Sequence, residues 1–202
     1  MILIGRNLSP FVRRTAATLN LLGLPHTQRL LSTADHAEEI GGHNPLRRVP
    51  ALILDDGETL LDSAAILDSL DELAGPERAL IPPSGAARRD VLRAVALGTG
   101  AMEKLVAAYY ERDRRPKDLV WPAAVERLSA QATAGFAALD SLAGAGWLCN
   151  GTLSQADVTA TVALDFADIV MPDLVRGRFT ALSALRERAN AIPAIGETRW
   201  QD

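Results

Sequence analysis

Apolar residues change their spacing along this chain, and each change predicts an element. Ile2-Leu3-Ile4 is a continuous apolar run closed by Gly5, the pattern of a short buried strand. Between Pro10 and Leu22 the apolar positions Val12, Ala16, Leu19 and Leu22 recur three or four apart, which predicts a helix with one buried stripe. Pro10 suits the first helical position and Gly23 the stop. Leu24 to Leu31 gives a weaker strand signal, because polar residues interrupt it. After a polar loop, Ala51-Leu52-Ile53-Leu54 is a firm strand that Asp55-Asp56-Gly57 turns into Thr59-Leu60-Leu61. Glycine tolerates the positive φ that such a tight hairpin needs. A helix is then predicted from Ser63 to Leu73, ended by Gly75-Pro76.

Leu80-Ile81-Pro82-Pro83-Ser84-Gly85 breaks any helix and marks a boundary. Beyond it the pattern is helical throughout, over 86–112, 122–142, 154–170 and 181–191, without a strand. The expected fold class is therefore a mixed α/β domain over residues 1–76 followed by an all-α helical bundle over residues 86–202.

Composition narrows the function. The chain has 202 residues, of which 48% are hydrophobic and 23% charged, which provides for a sizeable core and excludes intrinsic disorder. Acidic residues outnumber basic ones 25 to 21, so no global basic surface invites a nucleic acid. A single cysteine, Cys149, excludes an internal disulfide and any Cys-x-x-Cys site. The apolar start is too short for a signal peptide, and no stretch approaches the roughly 20 apolar residues of a membrane helix. A cytoplasmic protein without membrane or nucleic-acid partners is expected.

Four short motifs bear on chemistry. Ser9-Pro10 opens the first helix, where unpaired N–H groups and the positive dipole end stabilise an anion. Ser9 is also a good plain N-cap. Arg48-Val49-Pro50-Ala51 reads either as a strand-entry turn or as a cis-proline turn whose Val49 main chain pairs with an extended peptide. Asp62-Ser63 supplies ordinary capping residues, and the same pair suits an amino-acid head group, with Ser63 on the carboxylate and Asp62 on the ammonium. Ser154-Gln155-Ala156-Asp157 is a capping box ahead of an almost wholly apolar helix and is assigned to structure. His26, His36 and His43 lack metal-ligand spacing, so no metal site is expected. Arg112-Asp113-Arg114-Arg115 reads as a solvated helix end.

Three stretches, in this order, carry a resemblance: Ser9-Pro10-Phe11-Val12-Arg13-Arg14, then Asn44-Pro45-Leu46-Arg47-Arg48-Val49-Pro50-Ala51-Leu52, then Leu61-Asp62-Ser63-Ala64-Ala65-Ile66. Together with the later capping box they resemble the glutathione transferase superfamily, of the serine type. The resemblance implies a thioredoxin-like N-terminal domain carrying glutathione and a helical C-terminal domain, usually as a homodimer. It implies that Ser9 donates to the glutathione sulfur, that Val49 pairs with the cysteinyl main chain, that Asp62 and Ser63 hold the γ-glutamyl end, and that Arg48 meets the glycyl carboxylate. Glutathione enters as co-substrate, and no further cofactor is implied. Candidates for the second-substrate pocket are Leu8, Phe11, Met102, Val106, Tyr109 and Tyr110.

Departures sharpen this. No cysteine lies at or near position 9, and no tyrosine lies in the first strand–helix turn, which disfavours the cysteine- and tyrosine-based chemistries. Asp62 stands where relatives more often have the longer glutamate. The expected activity is thiol activation for attack on a small electrophile. The alternatives are a glutathione-dependent peroxidase or isomerase, or a non-catalytic binding or regulatory protein on the same fold.

Overall fold

The computed structural model describes residues 1–201, which fall into two compact units. The first comprises Met1–Pro83 together with the chain from Asn190 onward; the second is Ser84–Ala189.

In the first unit the order is β1 (Ile2–Ile4), α1 (Pro10–Leu21), β2 (Thr27–Arg29), α2 (Ala37–Gly41), β3 (Ala51–Ile53), β4 (Thr59–Leu61) and α3 (Ser63–Ala74). The strands form one sheet in the order β2-β1-β3-β4. β1 pairs with β2 in parallel, and with β3 antiparallel, and β3 pairs with β4 antiparallel. The Asp55-Asp56-Gly57 turn closes as expected. Gly57 sits at φ +93° and the Glu58 N–H donates to Asp56 Oδ1 at 3.0 Å.

Alternation along β1 separates two cores. Leu3 faces α1 and α3, joining Val12, Ala16, Leu19, Leu22, Leu52, Ile66, Leu67 and Leu70. Its neighbour Ile4 points to the other face, where it meets Leu31, Ile40 and Ala51. Ile40 belongs to α2, an element absent from the sequence reading. Five residues hold too few turns to show a helical period, and this helix is anchored instead by one buried side chain.

The C-terminal segment departs from the expected boundary. From Asn190 onward it returns to the first unit, and α8 (Pro193–Gly196) packs on α1. The buried Arg13 guanidinium explains why. It donates to Thr198 Oγ1 at 3.3 Å and to Asn190 Oδ1 at 3.0 Å. Asn20 Nδ2 donates to the Ala194 carbonyl at 3.2 Å, and Arg6 stacks 5.6 Å from the Trp200 ring centroid.

The second unit is built on α4 (Gly85–Tyr109), α5 (Pro122–Leu142), α6 (Gln155–Val170) and α7 (Thr180–Asn190), the last residue of α7 lying with the first unit. Small residues let the axes come close. A Cβ on Gly98 would lie 3.0 Å from Thr159 Cγ2, and one on Gly135 would lie 3.3 Å from both Ala101 Cβ and the Leu97 carbonyl oxygen. α6 is buried on nearly every side, as its apolar sequence predicts. Its capping box is formed: the Asp157 carboxylate accepts from Ser154 N–H and Ser154 Oγ, each at 2.8 Å, and from Leu148 N–H at 2.7 Å.

Two expectations change at the end of α4. Residues Tyr110–Arg114 form a π-turn rather than a continuation of the α-helix. Arg112 does not end in solvent: it donates to the Val170 carbonyl, the last residue of α6, at 2.6 Å. An arginine at that position satisfies a carbonyl that has no intrahelical partner.

Candidate functional site

The sheet register gathers three of the four motifs at one edge. Ile4 pairs with Ala51, and Ala51 pairs with Leu61. The residues immediately beyond that row are Gly5, Pro50 and Asp62, so the β1–α1 turn, the turn into β3 and the start of α3 leave the sheet side by side. Gly5 brings the first two into contact. A Cβ there would lie 2.5 Å from Val12 Cγ2 and 3.0 Å from Val49 Cβ, and its φ of +125° is one that side chains rarely adopt. α1 and α3 are joined by a buried hydrogen bond from Arg14 Nε to Ser63 Oγ at 3.1 Å.

Ser9 is the N-cap of α1. Its N–H donates to the Arg6 carbonyl at 3.0 Å, and its Oγ accepts a long 3.5 Å hydrogen bond from Val12 N–H. That cap uses a lone pair of the oxygen. The hydroxyl proton remains available to an acceptor in front of the helix. Pro10 has no N–H and the first turn has no acidic residue, so nothing in α1 itself neutralises the positive end of its dipole.

The Val49–Pro50 peptide bond is cis. The turn before it is held by Asn44, a buried side chain whose Nδ2 donates to the Arg48 carbonyl at 2.9 Å and whose Oδ1 accepts from Leu46 N–H at 3.0 Å. Among the described residues neither the N–H nor the C=O of Val49 has a hydrogen-bond partner. Arg48 is exposed and its guanidinium is likewise without a partner among them, whereas neighbouring Arg47 pairs with Glu38 at 2.9 Å.

Asp62 caps α3, with φ +66° and its Oδ1 accepting from Ala64 N–H at 2.8 Å. The side chain is exposed, and one carboxylate oxygen is left for another partner. Ser63, the first residue of α3, is only 4% exposed.

The second-substrate candidates divide between the two units. Leu8 and Phe11 are half-buried beside Ser9 in the turn and first helical turn. Val106 and Tyr109 are half-buried on α4; Tyr109 packs its ring 5.9 Å from that of Tyr110 and carries Arg114 at 5.5 Å. Tyr110 is half exposed in the π-turn. Met102 is a correction: it has no exposed surface and belongs to the core of the second unit, because the apolar stripe of α4 turns it toward the other helices. Two residues escaped the sequence reading. Arg14 was hidden because an arginine next to another arginine reads as solvated. Gly5 reads only as the end of a strand, although a glycine at a strand end ahead of a helix is a signal of close backbone approach.

Comparison with known proteins bears on this geometry. A model of the glutathione S-transferase N-terminal domain matches residues 3–78, and one of the glutathione S-transferase C-terminal domain matches residues 122–190. The chain belongs to the glutathione transferase superfamily. Solved glutathione transferases of bacteria share the fold over the whole length. One from Methylobacterium radiotolerans JCM 2831, in complex with glutathione sulfonate, is 26% identical with a TM-score of 0.91, covering 100% of this chain and 97% of that one. Another from Methylobacillus flagellatus KT, with glutathione bound, is 28% identical with a TM-score of 0.90 over 98% of both chains. A family member from Pseudomonas fluorescens Pf-5, with bound glutathione, is 27% identical with a TM-score of 0.87, covering 100% of this chain and 99% of that one. Among curated protein sequences nothing matches. Within this superfamily the N-terminal domain is the thioredoxin-like layer described above, with its four-stranded mixed sheet, and the helical unit follows it. No helix among the described residues is long and apolar enough to cross a membrane.

Proposed function

We propose that this member of the superfamily binds glutathione at the common edge of β1, β3 and β4, and activates its thiol for attack on a small electrophile. Superfamily membership and the glutathione-bound relatives support the ligand. The observation that carries the chemistry is Ser9: a half-buried hydroxyl at the mouth of α1 whose proton is not used by its own capping bond.

The unpaired N–H and C=O of Val49 take the cysteinyl main chain as an added strand. Ser63 and the start of α3 receive the γ-glutamyl carboxylate, the free oxygen of Asp62 its ammonium, and Arg48 the glycyl carboxylate. Each of these contacts fixes the tripeptide so that its sulfur lies before Ser9.

A free thiol with a pKa of about 8.5 is only a few per cent ionised at neutral pH. Lowering it by about two units requires about 2.7 kcal/mol of preferential stabilisation of the thiolate. A hydroxyl donating to a charged acceptor contributes about 1.5–3 kcal/mol and a helix N-terminus about 0.3–1 kcal/mol. Together they are of the right size. The thiol proton leaves to water, and the thiolate sulfur forms a bond to an electrophilic carbon as that carbon's bond to its leaving group breaks. The electron pair goes to a departing halide or to the oxygen of an opened epoxide, which takes a proton from water. The protein acts in the cytoplasm, as a homodimer, in the removal of reactive electrophiles.

Titration calorimetry with glutathione, read with the thiolate absorbance of the complex against pH, tests the proposal. Binding with a bound-thiol pKa below that of free glutathione, and turnover with at least one of a panel of halogenated aromatics, epoxides and peroxides, is expected. Tight binding with an unshifted thiol and no turnover would instead favour the non-catalytic reading.

A further inference from the structure

Arg14 is the least expected charge in the first unit. It lies on α1 with only 1% of its surface exposed, among the largest fully buried side chains of the chain. Removing a guanidinium from water costs several kcal/mol unless its donors are used. One of them, Nε–H, is spent across the helix interface on Ser63 Oγ, at 3.1 Å. Ser63 in turn is the first residue of α3, directly after the exposed Asp62.

The direction of this bond matters. A serine oxygen that accepts from a cation turns its own O–H away from that cation, because the proton cannot point at the donor. Ser63 is thereby left as a donor toward the helix mouth. One of its two acceptor lone pairs is already occupied and a cation lies behind the oxygen, so a ligand group that must donate to Ser63, above all a charged one, is disfavoured and one that accepts is favoured. The buried guanidinium adds positive potential behind the hydroxyl, and the N-terminus of α3 adds its own dipole. All three point to an anionic acceptor, and the neighbouring Asp62 oxygen supplies the complementary site for a cation.

We infer that Arg14 is a positioning residue that sets the polarity of Ser63 and so makes the head of α3 selective for a carboxylate-bearing ligand end over an uncharged one. This rests on the glutathione reading above and deepens it. Arg14 does not touch the ligand; it acts through Ser63, as outer partners orient the groups that do.

The test compares glutathione with its analogue in which the γ-glutamyl α-carboxylate is replaced by hydrogen, 4-aminobutyryl-cysteinyl-glycine, by calorimetry on the full chain. Wild type should prefer glutathione. Arg14→Gln should weaken glutathione binding about tenfold and the analogue less than about twofold, collapsing the preference. Arg14→Lys, which keeps the charge but not the Nε–H, should fall between. In a Ser63→Ala background, Arg14→Gln should leave the ratio of affinities unchanged. Equal loss for both ligands, or an unchanged preference in Arg14→Gln, overturns the role of Arg14 while leaving glutathione binding intact. Failure of wild type to bind glutathione overturns both. Should Arg14→Gln not fold, the Nε–H resonance of Arg14 in the wild-type protein decides. It should move on adding glutathione and stay in place with the analogue; the same response to both overturns the inference.

Discussion

Val49 occupies the space that a side chain at Gly5 would need, its Cβ being 3.0 Å from where a Cβ of residue 5 would stand. The turn ahead of α1 and the turn into β3 can lie side by side only because residue 5 has no side chain. Gly5→Ala meets two penalties: a φ of +125° that alanine rarely adopts, and overlap with Val12 and Val49. We expect a loss of about 2–4 kcal/mol in stability, measured by urea denaturation, from strain and overpacking together. Because Val49 must shift, glutathione affinity should fall in the folded fraction as well. An Ala variant with wild-type stability and affinity would show that the contact is soft.

Asp157 tests the helical unit separately. Its carboxylate takes three hydrogen bonds, and burial nevertheless pushes its pKa up, the hydrogen bonds from Leu148 and Ser154 opposing that shift. Asp157→Ala leaves three buried donors without their acceptor and α6 without its cap; about 2–4 kcal/mol of stability should go.

The sign of the pH effect follows from the raised pKa. Between the unfolded value of about 3.9 and the higher folded value, the native state holds more protons than the unfolded one, so this group's contribution is fully present below about pH 3.9 and is lost as pH rises through the folded pKa. The stability difference between wild type and Asp157→Asn should therefore fall with rising pH in that window. A difference that rises instead would mean that the three hydrogen bonds outweigh burial.

Much of this was legible in the sequence for a physical reason. The stripe Val12, Ala16, Leu19, Leu22 lies wholly in the core of the first unit, since apolar side chains at helical spacing have one way to leave water. Gly57 and Pro10 mark a turn and a helix start because glycine alone adopts a positive φ without penalty, whereas proline is held to the φ of a helix. The motifs around Ser9, Val49 and Asp62 could be ordered along the chain, but only the register Ile4–Ala51–Leu61 brings them to one edge. What could not be read depends on partners far away in sequence. Arg13 is buried by Thr198 and Asn190, Arg14 meets Ser63, and Arg112 meets the end of α6. A charged side chain carries no mark of its distant partner. The π-turn after α4 escaped for a different cause, since one added residue per turn hardly alters an apolar pattern.

Cys149 offers a check that is independent of the site. Its thiol is buried, and burial first, then the nearby charges of Asp157 and Asp90, push its pKa up. Thiolate is the reactive form, so the native protein should react with an aromatic disulfide reagent at least about tenfold more slowly than a free thiol at the same pH. Full reactivity should return in denaturant. Fast labelling of the native chain would place Cys149 nearer the surface than the helical core implies.

Ser9 separates a cap from a catalyst. As a cap, it accepts a 3.5 Å bond from Val12 N–H, so Ser9→Ala should lower stability by only about 0.5–1 kcal/mol. As a donor to the thiolate, its loss should raise the bound-thiol pKa by about one to two units and lower turnover at neutral pH about tenfold to a hundredfold. Glutathione affinity, carried by Val49, Asp62 and Ser63, should change little. The pH profile distinguishes the two roles. If the hydroxyl acts on the sulfur, the gap between wild type and Ser9→Ala closes as pH rises above the variant's higher thiol pKa, where water alone has ionised the thiol. Ser9→Thr, which keeps both the cap and the O–H, should restore the low thiol pKa. A Ser9→Ala variant that loses stability but keeps the wild-type pH profile would leave the helix end, without the hydroxyl, as the source of activation.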